Sequence, residues 1–164
     1  MYTLNMSEAW LNFAIVIFIQ FLVFIAYAYY AKKLSKVPQT LIKGILIGMI
    51  FGLLFDLVFG KLLGFHSYVL GFGTSFLILN AAISFGLFSA NILLLERIQF
   101  PYFYIWTIFI MAIYEITNLF FPVWNWKLAL PSIQFLLILS IGYLCGAILI
   151  IKISNVTKYI KRLF

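Results

Sequence analysis

The chain has 164 residues, 66% of them apolar and only 9% charged, with a formal net charge of +7. Such a balance describes a polytopic membrane protein and leaves no room for a separate soluble domain. One cysteine, Cys145, and one histidine, His66, exclude an internal disulfide, a CxxC site and a metal centre built from clustered His and Cys.

The apolar runs predict an all-α protein with five spans, at about 11–31, 41–60, 70–95, 101–121 and 131–152. The first carries Glu8 and no Lys or Arg on its N-terminal flank, so it reads as a retained span rather than a cleaved signal. Trp10 at one end and Tyr27, Tyr29 and Tyr30 at the other fit the two interfacial belts. Gln20 at mid-depth reads as an interhelical hydrogen bond. With no glycine and an apolar circumference, this helix is expected at the periphery, facing lipid.

The second span holds the most ordered pattern in the chain. Gly44, Gly48, Gly52, Asp56, Gly60 and Gly64 recur at a spacing of four, which in a helix makes a slowly winding groove without side chains. Helices in a bilayer associate through close backbone approach, so the groove reads as a central packing surface with one carboxylate set into it. An acid facing lipid costs about 2.5–3.5 kcal/mol, so Asp56 is expected to face protein, water or a partner. A short turn with Lys61, Gly64 and His66 follows.

The third run opens at Tyr68 with Gly71 and Gly73, which weaken helix there, and is then dotted by Asn80, Ser84, Ser89 and Asn91. These polar residues read as bonds between neighbouring helices. Glu96 and Arg97 mark the next loop, and Pro101 suits the first turn of the fourth helix. That helix carries Glu115, Thr117 and Asn118 and stops at Pro122. Trp124 and Trp126 then read as interfacial indoles, with a ligand-stacking role as the other option. The fifth run, from Pro131, holds a second small-residue pair, Gly142 and Gly146.

Basic residues fall on alternate sides of five spans. One side has Lys32, Lys33, Lys36, Lys43, Arg97, Lys152, Lys158, Lys161 and Arg162; the other has Lys61 and Lys127. The positive-inside rule puts the larger group in the cytoplasm, hence the N-terminus outside and the C-terminus inside a multi-pass protein of the cytoplasmic (inner) membrane. Topology and contact with anionic lipid of the bilayer account for the positive charge, and no nucleic-acid partner is needed. Asp56 and Glu115 each lie about 15 residues along outward-running helices, or about 22 Å, which gives them matching depth. Paired carboxylates of this kind can serve as acid and base, so Asp56 and Glu115 are the catalytic candidates if the chain is an enzyme. They serve equally as hydrogen-bond acceptors for Asn80, Thr117, Asn118 or the turn backbone. With His66, Tyr68, Asn80, Asn118, Trp124 and Trp126 they make the set of partner or ligand contacts. No metal or cofactor is expected.

The run G-M-I-F-G-L-L-F-D-L-V-F-G-K-L-L-G resembles the MreD family, the rod-shape-determining membrane proteins of bacteria. Gly48, Gly52, Leu53, Leu54, Asp56, Leu63 and Gly64 carry the likeness. It implies a scaffold in cell-wall elongation and cell shape, whose partners are other membrane proteins of an envelope complex or further copies of itself, with no catalytic residues. The D-x11-Y spacing to Tyr68 and the E-x8-W-x-W ending in Trp126 are similar to the repeated layout of lycopene-cyclase-domain enzymes, which implies a small carotenoid or terpenoid enzyme of cyclase or hydratase type. Their paired P-x-E-E acids are replaced here by A-I-S-F at 82–85 and P-S-I-Q at 131–134. Substrate-binding membrane subunits of vitamin transporters are a third likeness, in size and charge. The scaffold is the leading expectation.

Overall fold

A computed structural model describes residues 5–70, 73–95, 102–127 and 132–160. Gly71, Glu96, Arg97, Pro101, Pro131, Lys161 and Arg162, all named above, lie outside the described residues.

Helix α1, Met6–Tyr30, begins ahead of the boundary expected at 11. The reason is local: the Asn5 side chain accepts the Glu8 backbone N–H while the Glu8 carboxylate accepts that of Asn5, a capping box that extends the helix into a polar segment. Helix α2, Val37–Phe55, carries Pro38 in its first turn and continues into a π-helical segment, Asp56–Leu62. A turn at Gly64, whose φ is 67°, leads to strand β1, His66–Tyr68. The third span is built from α3, Thr74–Asn80, a π-helical segment Ala81–Phe85, and α4, Gly86–Leu94. Helix α5, Tyr102–Phe120, strand β2, Trp124–Trp126, and helix α6, Ser132–Ile160, complete the described chain.

Among the described residues, five helical stretches are long and apolar enough to cross a membrane: Met6–Tyr30, Leu34–Leu62, Ser75–Leu94, Tyr102–Phe120 and Ile133–Asn155. The all-α expectation needs one correction. The loops after the second and fourth spans contain β1 and β2, which pair antiparallel with His66 opposite Trp126, Ser67 opposite Asn125 and Tyr68 opposite Trp124. Backbone bonds from Val69 N–H to the Val123 carbonyl and from Lys127 N–H to the Phe65 carbonyl, each 2.8 Å, extend the ladder. A three-residue strand is too short to show a period-two pattern in sequence, so tertiary pairing alone creates it. The third span also starts later than the expected 70, because Tyr68 belongs to the strand and Gly73 is the N-cap of α3.

The third span is the centre of the bundle. Of its most apolar stretch 61% is buried, against 28% for each of the first two spans. On one side Phe24 and Ala28 of α1 pack with Leu87, Ala90 and Leu94; on another, Phe88 and Ile92 pack with Ile110 and Tyr114 of α5 and Ala147 and Ile150 of α6. The peripheral position expected for α1 agrees with its burial, which is confined to one face. It buries the row Ala9, Phe13, Val16, Gln20, Phe24 and Ala28, at spacings of three and four, and Gln20 accepts a hydrogen bond from Ser84 at 3.2 Å.

Helix α2 joins this centre through its glycines. A Cβ built on Gly44 would fall 2.6 Å from Ala90 Cβ and from the Gly86 carbonyl oxygen, and one on Gly52 would fall 2.7 Å from the Phe85 ring. At Gly48 the clash would be with Gly86 N and Cα, so two glycines face each other across the crossing. Gly60 is buried in the π segment. Gly64 is not a packing residue; it supplies the left-handed turn into β1 and meets nothing within 4 Å. Gly142 likewise has open space where its Cβ would be, whereas a Cβ on Gly146 would fall 3.0 Å from the Phe51 ring.

Candidate functional site

The two strands draw the two acids into one region, each backed by its own set of donors. Asp56 is fully buried at the first position of the π segment. Its Oδ1 accepts from the Tyr68 hydroxyl at 2.6 Å and lies 3.2 Å from His66 Nε2; its Oδ2 lies 3.4 Å from Asn80 Nδ2. Asn80 also donates to the Tyr68 hydroxyl at 2.9 Å, so that hydroxyl accepts one bond and passes one on. Asp56 takes the acceptor part throughout. Burial, and then the adjacent carboxylate, push the Tyr68 hydroxyl well above its ordinary pKa, which keeps it protonated and donating. The imidazole of His66 stacks on Phe55 at 5.5 Å and 23°.

Glu115, on α5, has a parallel arrangement made of different donors. Its Oε2 accepts from Trp126 Nε1 at 3.1 Å and Trp124 Nε1 at 3.4 Å, and its Oε1 accepts from the Tyr143 hydroxyl at 2.9 Å. Both indoles come from β2, as His66 and Tyr68 come from β1. Each of the two helices thus supplies an acid toward its C-terminal end, and the strand after it supplies two aromatic rings that bond to that acid. Asn118 holds β2 in place: its Oδ1 accepts from Val123 N–H at 2.8 Å and Trp124 N–H at 3.0 Å, and its Nδ2 donates to the Trp124 carbonyl at 2.9 Å.

A cavity of about 490 Å³ opens beneath the strands, between α2, the third span and α6. His66, Tyr68 and Asn80 line it at the Asp56 end, and Trp124, Trp126 and Tyr143 line it at the Glu115 end, while the two carboxylates stand behind these groups. Phenylalanines 51, 55, 59, 65, 85, 88 and 135 line much of the rest, with aliphatic residues of α6. Its size and apolar walls suit a small molecule or a segment of a lipid. The aromatic faces suit positive charge.

Of the residues singled out from sequence, Asp56, His66, Tyr68 and Asn80 form one cluster and Glu115, Trp124 and Trp126 another, while Asn118 acts on the backbone. Tyr143, Tyr114 and the phenylalanine wall escaped notice. The spacing of four from Phe51 through Phe55 to Phe59 carried a signal for one aromatic face on α2; nothing marked Tyr143. Both π-helical segments adjoin the Asp56 cluster, one beginning at Asp56 and the other directly after Asn80. Such widenings occur frequently at functional sites. Among the described residues no group of three or more His, Cys, Asp or Glu could hold a metal ion.

Asn118→Ala removes three hydrogen bonds and leaves two backbone N–H groups without their acceptor. The expected cost is about 2 kcal/mol or more. Asn118→Asp, which keeps the acceptor, should recover part of it. Thermal unfolding followed by tryptophan fluorescence checks this, since two of the reporting indoles stand on β2.

No family model, curated protein or solved structure matches this chain.

Proposed function

We propose that the chain is a membrane-embedded enzyme that binds an unsaturated isoprenoid lipid in the aromatic cavity and moves a proton on and off it, as in cyclisation or double-bond migration. One observation carries this reading: a fully buried Asp56 is bonded to two titratable groups, His66 and Tyr68, that face an apolar, aromatic-walled cavity. Proton delivery to the less substituted carbon of a branched alkene leaves a tertiary carbocation, which the ring faces are suited to stabilise. A carbon–carbon bond then forms, or the double bond shifts, and a neighbouring carbon returns one proton to a base in the cluster. Protons balance and no electrons are exchanged. Asp56 orients His66 and Tyr68, and its carboxylate balances the positive charge on His66 when the imidazole carries the proton to be delivered.

The scaffold reading rests on the likeness of Gly48, Gly52, Leu53, Leu54, Asp56, Leu63 and Gly64 to the MreD signature. Gly44, Gly48 and Gly52 are filled by Gly86, Ala90 and Phe85 of the same chain, so the groove gives no independent support to a partner. For orientation we keep the distribution of Lys and Arg as the guide, with the C-terminus in the cytoplasm and β1 and β2 at the outer side of the cytoplasmic membrane.

The test is purification in mild detergent, lipid extraction and mass spectrometry, then incubation of the protein with an acyclic polyene in D₂O. Isoprenoid lipid enriched over a control membrane protein and deuterium entering the polyene are the expected results. Retention of wall-synthesis proteins with neither isoprenoid nor deuterium would return the scaffold to first place.

A further inference from the structure

We infer that the cavity is open sideways to the bilayer through a slot between α2 and α6, so that the ligand is a chain longer than the cavity whose tail remains among the lipids, and that Gly142 sets the width of the slot. This rests on the isoprenoid reading for the ligand's class, and on separate observations for the route.

Several residues line the cavity and are exposed as well. On α6 these are Ile138, Gly142, Cys145 and Leu149; in the π segment that continues α2, Phe59 is another. They are not scattered. The four on α6 fall at spacings of three and four, which places them along one edge of the helix over about 16 Å. That edge belongs to Ile133–Asn155, a stretch apolar enough to lie within a membrane. An opening there faces acyl chains rather than water.

Contact between the two helices supports the same route. A Cβ on Gly142 would meet nothing within 4 Å, whereas at Gly146, one turn along, Phe51 of α2 closes to 3.0 Å. The slot is thus shut at the Gly146 level by a single ring and open at the Gly142 level. Cavity volume gives a third reason. About 490 Å³ accommodates a drug-sized molecule, so a long isoprenoid must leave part of its chain outside. The tail needs no polar contact because the slot offers none.

Cys145, the single cysteine, reports on this edge directly. In reconstituted bilayers it should react with a lipid-soluble maleimide, and solanesol should slow that reaction. Gly142→Trp should weaken solanesol binding by about tenfold or more, equal to about 1.4 kcal/mol, while geraniol, short enough for the cavity alone, keeps its affinity. An unreactive Cys145, or one that crosslinks to Cys145 of a second copy, would mean that protein covers the slot and would overturn the inference. Unchanged solanesol binding in Gly142→Trp would overturn it too, while leaving the enzyme reading intact if deuterium still enters the polyene. Loss of geraniol and solanesol together would place Gly142 inside the cavity rather than in a slot, which also overturns it. A wild type that binds neither alcohol but has a reactive Cys145 would sink the isoprenoid ligand, and with it the tail.

Discussion

Gly48→Ala will be the most damaging single-methyl change in the protein. The added carbon would fall on Gly86 N and Cα and on the Phe85 carbonyl carbon, all backbone atoms that cannot rotate aside. To admit it, α2 must move off the third span, which it meets more intimately than any other helix does. Overpacking costs about 1–3 kcal/mol, and here the loss extends along the interface because the glycines at 44 and 52 separate with it. Polar bonds between helices in membranes average only about 0.6 kcal/mol, too little to compensate. The glycines should then rank by what their Cβ would strike. Gly44→Ala meets Ala90 Cβ and a carbonyl oxygen and should be nearly as severe; Gly52→Ala meets the Phe85 ring, a side chain with some freedom, and should be milder. Gly142→Ala meets open space and should be silent in stability. The monodisperse fraction on size-exclusion chromatography and the melting temperature in detergent give the ranking. A Gly48→Ala protein as stable as Gly142→Ala would refute this view of the crossing.

That ranking also shows how far the sequence could be read. The spacing of four from Gly44 to Gly52 identified a close helix crossing, because small residues at helical period leave few other uses for the pattern. It did not identify the partner, which turned out to be the third span through Gly86, a residue with nothing in its neighbourhood to mark it. Extending the pattern through Gly60 and Gly64 assumed one regular helix. Instead the backbone widens into a π segment at Asp56 and turns left-handed at Gly64, changes that depend on tertiary packing. For the site, residue chemistry was legible and adjacency was not. Asp56 and Glu115 stood out because acids are rare in apolar helices. Trp124 and Trp126 stood out as indoles, yet their bonds to Glu115 required β2 to pair with β1, and three-residue strands leave no periodic trace. The repetition of acid, strand and following helix was visible as spacing, and the antiparallel ladder centred on Ser67 and Asn125 gives that repetition its physical meaning. It sets the two acid-bearing units edge to edge above the cavity.

Similar units need not do similar work, and the two acids should separate cleanly on mutation. Asp56→Asn preserves the side chain's size and one acceptor oxygen, which can still receive the Tyr68 hydroxyl and His66 Nε2. Its new amide would face Asn80 Nδ2, which lies 3.4 Å from Oδ2, and the Asn80 side chain can rotate its carbonyl into that place. The structural cost is then about 1 kcal/mol, within reach of a folded protein. Proton transfer is another matter. An amide neither holds a proton at neutral pH nor balances charge on His66, so deuterium incorporation should fall by about 10²–10⁴-fold, the range spanned by general acid–base groups. Glu115 has no histidine beside it. Its three donors are two indoles and a phenol, which are neutral groups that anchor β2 and α6 to α5. Glu115→Gln should therefore lower stability while retaining turnover per folded molecule to within about tenfold. Tyr68→Phe removes the shortest bond to Asp56 but leaves His66, and should fall between the two. Deuterium incorporation per folded molecule is the measurement for all three, with folding checked by chromatography and melting temperature. If well-folded Asp56→Asn turns over as the wild type does, the Asp56 cluster is a packing device and the enzyme reading fails. If Glu115→Gln shows the larger loss, the chemistry lies at the tryptophan end of the cavity.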